Sequence, residues 1–200
     1  MKTIYYIRHG QTEMNRKNLV QGRINSDLTA LGQMQAYTTG QFFMDEQIHF
    51  DSAYSSPALR ARNTAMLICP YLKAVPVDDF DETAYGELEG ASHDVFQKHA
   101  SNQFKDIKGV ESVSEVKKRV KQGLEMVLSD TGPDETILIV GHGSSGFRLA
   151  SVIDPERAKK MRKFGNCLIY KYTAESSIDS VHLESIELGP ASLLDETKYL

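Results

Sequence analysis

The segment Ile4-Tyr5-Tyr6-Ile7-Arg8-His9-Gly10-Gln11-Thr12 decides the fold. Its first four residues are aromatic or β-branched, and such a short apolar run predicts a buried β-strand. Arg8 and His9 end the strand, and Gly10 permits a sharp turn or a close approach of the backbone to a ligand. The segment therefore predicts two polar side chains at the carboxyl edge of a sheet, where open α/β folds bind ligands.

A second strand of the same kind lies far downstream. Residues 136–140 read Thr-Ile-Leu-Ile-Val, and Gly141, His142 and Gly143 follow at once. Because both strands end in a His-Gly step, we expect His9 and His142 to meet at one site.

Strand and helix patterns alternate along the rest of the chain. Helices are predicted at residues 28–46, 57–70, 111–129, 144–153 and 155–163, and further strands at 50–54, 75–77, 168–172 and 181–188. This order predicts one domain over residues 1–200, an α/β protein with a three-layer α/β/α sandwich and a mostly parallel central sheet. The polar stretch 13–27 favours a functional loop. The irregular segment 80–110 predicts short helices and a lid-like insertion.

The composition argues against several classes of function. The net charge is -4 and 40% of the residues are hydrophobic, so we expect neither a nucleic acid nor a membrane as partner. No apolar run approaches the ~20 residues that span a bilayer. The isolated Cys69 and Cys167 indicate buried free thiols, which favours a cytoplasmic location. No cysteine and histidine pairs have the spacing of zinc ligands, so zinc is not expected.

Arg8 and His9 are side chains suited to binding an anion and to attacking it. The planar guanidinium fork matches a phosphoryl group, and histidine can serve as nucleophile, acid or base. Backbone amides after Gly10 and after Gly143 can add hydrogen-bond donors at a turn or a helix start.

Residues 8–12 with Asn15 resemble the signature of the histidine phosphatase superfamily, which includes the cofactor-dependent phosphoglycerate mutases. Further blocks resemble this family in the expected order. They are residues 28–33, 55–65, 82–90 and 140–143, with a looser match at 109–119. The similarity covers roughly the first 170 residues.

The resemblance implies catalysis through a phosphohistidine. His9 would attack phosphorus while a backbone carbonyl holds its other ring nitrogen. Arg8, Arg60 and His142 would neutralise the phosphoryl oxygens, so that no metal and no cofactor is needed. Arg62 competes with Arg60, but residues two apart on a helix face different ways, and the spacing from the Ser-Pro step favours Arg60.

Hydrogen bonds to phosphate or substrate are expected from Asn15, Gln21, Gly22 and Gly143. The resemblance also implies that Glu82 protonates the leaving oxygen and then activates water.

The choice of acid is not unique in the sequence alone. Asp81, Glu87 and Glu89 compete with Glu82, and only the family spacing to Tyr85-Gly86 selects Glu82.

These residues predict a metal-independent phosphomonoester hydrolase, a monomer or homodimer, that acts on a small phosphorylated metabolite. A cofactor-dependent phosphoglycerate mutase is the alternative, and a non-catalytic module that binds a phosphorylated ligand is a further one. Between Glu82 and Gly109 the only cations are three lysines, whereas the mutases carry basic residues there. This difference favours hydrolysis.

The other polar residues considered are predicted to lie at the protein surface without a role in the site. His49, His93, His99 and His182 are expected to be exposed, and residues 117–119 to form the solvated side of an amphipathic helix. Phe96 and Phe104 are expected either to line the mouth of the site or to anchor the lid.

Overall fold

The computed structural model describes residues 1–100, 102, 104–161 and 165–194. Within them the chain forms one sheet of six strands: β1 Lys2–Arg8, β2 Ser52–Ser55, β3 Val75–Pro76, β4 Thr136–Gly141, β5 Leu168–Ala174 and β6 His182–Leu188. Their spatial order is β3-β2-β4-β1-β5-β6. The first four strands are mutually parallel, whereas β5 and β6 are antiparallel to their neighbours. The predicted mostly parallel sheet is confirmed.

Helices cover both faces of this sheet. Those of the described residues are α1 Glu13–Arg16, α2 Ala30–Asp45, α3 Leu59–Ile68, α4 His93–Ala100, α5 Val113–Asp130, α6 Gly143–Ile153 and α7 Pro155–Lys159. Tyr5 and Ile7 of β1 join one apolar cluster with α2 and α3, and Ile4 and Tyr6 join another with α5 and α6. Successive side chains of a strand point to opposite faces, so an apolar β1 requires helices on both. The predicted three-layer sandwich is confirmed.

Polar caps decide where the long helices begin. Thr29 Oγ1 accepts a hydrogen bond from Gly32 N at 3.0 Å ahead of α2. Ser112 and Glu115 form a reciprocal capping box ahead of α5. Such caps satisfy amide groups that lack a helical partner. The helix starts predicted at residues 28 and 111 were therefore two residues early.

The segment from 80 to 110 holds short helices, as predicted. Two 3-10 turns at Asp78–Phe80 and Gly86–Leu88 precede α4, in which no residue is buried. Gly90 and Gly109 bracket α4 with φ angles of +87° and +76°, which glycine adopts without steric cost. A lid function of this segment stays a prediction.

Gly10 has a packing role that the sequence did not predict. A Cβ at this position would collide with the backbone carbonyl of Gly32 at the start of α2. The turn after β1 therefore lies directly against the first turn of α2, and only glycine fits between them.

Three smaller predictions can be compared directly with the structure. The helix predicted at residues 155–163 ends at Lys159, and residues 162–164 lie outside the described part. Cys69 and Cys167 are buried free thiols, as expected. Of the helices that the described residues form, none has both the length and the apolar character of a membrane span.

Candidate active site

The carboxyl edge of the parallel strands borders a cavity of about 1160 Å³. Most of the site residues predicted from the sequence line it: Arg8, His9, Asn15, Gln21, Gly22, Arg60, Glu82 and Gly143. His142 is fully buried, and its ring centroid lies 5.2 Å from that of His9. The structure thus brings the whole predicted set together.

The pairing of β1 with β4 places the two histidines side by side. Arg8 lies opposite Gly141 in the parallel register, and His9 N donates to the carbonyl of Gly141 at 3.0 Å. His9 and His142 therefore follow neighbouring strands at the same level of the sheet.

His9 is held in a single tautomer. Its Nδ1 lies 2.7 Å from the carbonyl oxygen of Gly10, which can only accept, so Nδ1 carries the hydrogen and Nε2 keeps a lone pair. Burial, then the charges of Arg60 and Arg8, lowers the pKa of His9 well below its ordinary 6.5. The imidazole is therefore neutral at pH 7, with Nε2 free to act as a nucleophile.

His142 has the opposite tautomer. Its Nδ1 accepts a hydrogen bond from Arg60 Nε at 3.2 Å, so the ring hydrogen lies on Nε2. Burial and the charge of Arg60 lower the pKa of His142 well below its ordinary value. Nε2 is buried and has no hydrogen-bond partner among the described residues. His142 therefore offers a hydrogen bond, not the positive charge expected from the sequence.

Arg60 is fixed by backbone carbonyls of the loop after α1. Its Nη2 donates to Gly22 O at 2.7 Å and its Nη1 to Ile24 O at 3.0 Å, and only 1% of the residue is exposed. Burial lowers the pKa of Arg60, but an arginine starts from 12.5 and remains a cation. Arg62, the competing residue, lies at the surface.

Gln21 and Gly22 shape the loop that holds Arg60. Gln21 accepts from Thr12 Oγ1 at 2.8 Å and donates to Ile24 O at 3.1 Å, so both ends of its amide are occupied. Gly22 has a φ of +53°, and a Cβ there would collide with the Glu89 carboxylate. A direct contact of either residue with substrate stays a prediction.

Arg8 extends from the end of β1 toward the start of α6. A Cβ on Gly143 would lie 3.3 Å from Arg8 Nε, so glycine leaves room for the guanidinium at this helix terminus. Burial lowers the pKa of Arg8, which remains a cation for the same reason as Arg60. Helix amino termini favour anions, so this cation and the amide of Gly143 act in the same direction.

Asn15 is oriented by a residue that the sequence analysis missed. Asn166 Nδ2 donates to Asn15 Oδ1 at 3.2 Å and to His9 O at 3.1 Å. Asn15 Oδ1 also accepts from Thr12 N, which leaves its amino group for a ligand. Asn166 carries no motif and follows α7 at a distance of 157 residues from His9, so only the fold reveals it.

Glu82 lies at the amino terminus of α6. Its Oε1 accepts from Thr83 N at 2.8 Å and Ser145 N at 3.0 Å, and its Oε2 accepts from Ser144 N at 3.1 Å. The carboxylate is thereby held rigidly beside the helix start that also carries Gly143.

Of the three competing carboxylates, Asp81 borders the site, because its Oδ1 lies 3.7 Å from Nε2 of His142. Asp81 accepts from Ser56 Oγ, and Glu89 accepts from the amides of Arg23 and Tyr85. Glu87 is exposed. Of the four candidate acids, Glu82 alone lines the cavity.

Arg119 is not on the solvated side of α5, and that prediction was wrong. Its side chain is 13% exposed and forms a bidentate ion pair with Glu111 at 2.6 and 2.8 Å. It also donates to the carbonyls of Asp79, Asp81 and Glu82. One guanidinium thus fastens the backbone that carries Glu82.

The positive charge beside His9 comes from Arg8 and Arg60. Among the residues with described positions, no three His, Cys, Asp or Glu side chains form a group that could hold a metal ion. The absence of a metal requirement stays a prediction.

Two imidazoles and two guanidinium groups therefore lie together at the edge of an α/β sheet. The chain belongs to the histidine phosphatase superfamily (branch 1), whose family model matches residues 4–180. The family resemblance seen in the sequence is confirmed.

Similar proteins include phosphatases and mutases. The chain is 39% identical over 156 residues to "Putative phosphoserine phosphatase 2" of Hydrogenobacter thermophilus, covering 72% of this chain and 75% of the relative. It is 33% identical over 162 residues to "Uncharacterized phosphatase PhoE" of Bacillus subtilis, covering 78% and 81%. It is 30% identical over 197 residues to a 2,3-bisphosphoglycerate-dependent phosphoglycerate mutase of Rhizobium rhizogenes, covering 89% and 93%.

Solved structures show the same fold. A phosphoglycerate mutase from Bacillus anthracis matches with a TM-score of 0.81 at 23% identity, covering 95% of this chain and 93% of that one. YhfR of Bacillus stearothermophilus matches with a TM-score of 0.80 at 20% identity, covering 92% and 96%.

We predict that the rings of His9 and His142 are neutral at pH 6.5, where an ordinary histidine is half protonated. Nitrogen NMR of the imidazoles checks this and the tautomers, with free histidine in the same buffer as reference. Because the unfolded chain takes up these protons and the folded protein does not, the free energy of unfolding falls as pH drops through 6.5. Half-protonated rings at that pH would contradict the prediction.

Proposed function

We propose that the protein is a metal-independent phosphomonoester hydrolase that forms a phosphohistidine on His9. One observation carries the proposal: the Gly10 carbonyl holds Nδ1 of His9, so the unprotonated Nε2 is available in a site with two arginines. A neutral imidazole beside fixed cations is the arrangement that in-line attack on a phosphoryl group needs.

In the first step, His9 Nε2 bonds to phosphorus while the bond from phosphorus to the ester oxygen breaks. The electron pair goes to the ester oxygen, which takes a proton from Glu82 and leaves as an alcohol.

In the second step, Glu82 takes a proton from water, whose oxygen bonds to phosphorus. The bond to His9 Nε2 breaks and inorganic phosphate leaves. Three backbone amides hold the Glu82 carboxylate in place for this role. General acid-base help of this kind contributes on the order of 100- to 10,000-fold.

The phosphoryl oxygens would meet donors from three directions. Arg8 and Arg60 supply charge, and Nε2 of His142 supplies a buried N–H that has no hydrogen-bond partner in the described structure, with Asp81 Oδ1 3.7 Å away. The amide of Gly143 and the amino group of Asn15 add neutral donors. Preorganised donors and charges provide most of the rate enhancement in phosphoryl transfer.

A phosphoglycerate mutase is the second candidate, because named mutases are among the relatives. A mutase must grip the substrate carboxylate and keep water away from the phosphohistidine. Of the three lysines between Glu82 and Gly109, Lys105 alone lines the cavity. This scarcity of cations favours the hydrolase. A module that only binds a phosphorylated ligand would have no use for Glu82 beside the anion.

The substrate class and the cellular location are also part of the proposal. The substrate is a small phosphorylated metabolite, and the two free thiols suit the reducing cytoplasm.

We predict that the purified protein releases phosphate from a generic aryl phosphate in EDTA, and that His9→Ala lowers turnover at least ~10³-fold. Labelled substrate should leave acid-labile, alkali-stable phosphate on the wild-type chain. His49→Ala, at an exposed histidine outside the cavity, is the matched control and should change neither result.

Two results would count against this proposal. Full activity of a folded His9→Ala variant would remove His9 as the nucleophile. Efficient interconversion of 2- and 3-phosphoglycerate without phosphate release would establish the mutase.

We also predict that Arg119 acts by positioning Glu82. Arg119→Met should lower kcat/KM for an alkyl phosphate by about 100-fold, because its leaving group needs a proton. The same variant should lower kcat/KM for 4-nitrophenyl phosphate less than about tenfold, since nitrophenolate leaves unprotonated. Arg62→Met, at an exposed arginine, is the control. An equal loss with both substrates would show that Arg119 only stabilises the fold.

A further inference from the structure

The cavity extends well beyond the phosphate-binding end. It is larger than the usual range of pockets that hold drug-sized ligands, and a phosphoryl group occupies only a small part of it. An aromatic wall, defined as Tyr85, His93, Phe96 and Phe104, lines the part formed by the insertion. Phe96 lies 5.0 Å from Tyr85 and 4.8 Å from Phe104 between ring centroids. Both phenylalanines therefore line the cavity, one of the two roles predicted for them.

This apolar surface is not part of the protein core. Phe96 and Phe104 are half-buried, and α4, which carries Phe96, contains no buried residue. Further apolar side chains continue the lining on the side of the insertion and α5: Ile107, Val110 and Val113. Apolar surface held around a cavity is stabilised when a ligand of matching character removes it from water.

The aromatic wall begins at the reacting end of the cavity. Tyr85 is three residues from Glu82 in the chain, and both residues line the cavity. In the proposed mechanism Glu82 protonates the ester oxygen. The organic group attached to that oxygen would therefore lie against Tyr85, with Phe96 and Phe104 beyond it.

The aromatic wall itself contains no lysine, arginine or carboxylate, and Glu111, which lines the cavity beside Glu82, is paired with Arg119. Apart from Arg8 and Arg60, the cations on the lining are Lys105 and Arg148, and Arg148 lies 5.3 Å from the centroid of the Phe147 ring. The four side chains of the wall include no carboxylate to pair with an ammonium group. An amino acid headgroup placed there would leave charge without a partner, which is costly.

We propose that the site takes phosphate monoesters of apolar alcohols, and among them aromatic ones, with the aromatic wall as the specificity determinant. The inference rests on the proposed function, because it assigns the leaving group of that reaction. A ring of the substrate can stack on Phe96 and Phe104 in the offset or edge-to-face arrangements that aromatic pairs prefer.

The test is a series of primary alkyl phosphates assayed with the full chain. Ethyl, butyl, hexyl and 2-phenylethyl phosphate have similar leaving groups, so differences report binding of the organic part. We expect kcat/KM to rise about fourfold per added methylene, and 2-phenylethyl phosphate to exceed phosphoserine and 3-phosphoglycerate at least about tenfold.

Substitutions in α4 test whether the preference for longer alkyl groups comes from the aromatic wall. Phe96→Ala should lower the ratio of kcat/KM for hexyl phosphate to kcat/KM for ethyl phosphate by about tenfold. The reason is that only the longer alkyl chain contacts Phe96. Val95→Ala, on the same helix but outside the lining, is the control and should leave the ratio unchanged. Equal melting temperatures would show that both variants are folded, as expected for a helix without buried residues.

Several outcomes would overturn the proposal: a flat alkyl series, a preference for phosphoserine or 3-phosphoglycerate, or an unchanged ratio in Phe96→Ala. Calorimetry with alkyl and 2-phenylethyl phosphonates separates this inference from the proposed function. Affinity that rises with chain length, without any hydrolysis of phosphates, would support the apolar site and reject the hydrolase. Absence of binding by every phosphonate would reject the apolar site.

Discussion

The parallel pairing of β1 with β4 is the constraint on which the rest of the site depends. A histidine follows each strand directly, and the register that pairs Arg8 with Gly141 places both histidines at the same level of one sheet edge. A shift of one residue would turn every side chain of β1 to the opposite face. The same apolar pattern that fits β1 between two layers of helices therefore also fixes the position of His9. The packing of the core and the geometry of the site therefore depend on the same strand register.

Arg60 is buried and Arg8 is partly buried beside two histidines. This creates a second requirement, because buried charges need compensation. Backbone carbonyls of Gly22 and Ile24 hold Arg60, and the ion pair with Glu111 holds Arg119. Arg60 fastens its loop and charges the site, whereas Arg119 fastens the backbone that carries Glu82. Burial, with the positive charge of the arginines, keeps the histidines neutral, and fixed cations favour an anion as ligand. This arrangement supports the proposal that the site binds a phosphoryl group.

Much of this arrangement could be predicted from the sequence, and the failures have physical causes. Strand ends and family motifs identified His9, His142, Arg8, Arg60 and Glu82, because these residues lie in short local patterns. Asn166 and the inward direction of Arg119 depend on contacts between distant segments, which periodicity does not contain. Residues 117–119 have the composition of a solvated helix side, yet Glu111 and three carbonyls draw one member inward. The protonation of His142 likewise depends on which nitrogen meets Arg60, and no sequence pattern records that.

The most direct test of the central claim is a crystal structure of the protein with orthovanadate, which imitates a phosphoryl group under attack. We expect vanadium to bond to Nε2 of His9, with Arg8, Arg60 and Nε2 of His142 within hydrogen-bond distance of its equatorial oxygens. Vanadate bound away from His9, or His9 turned so that Nδ1 faces the metal oxyanion, would contradict the account.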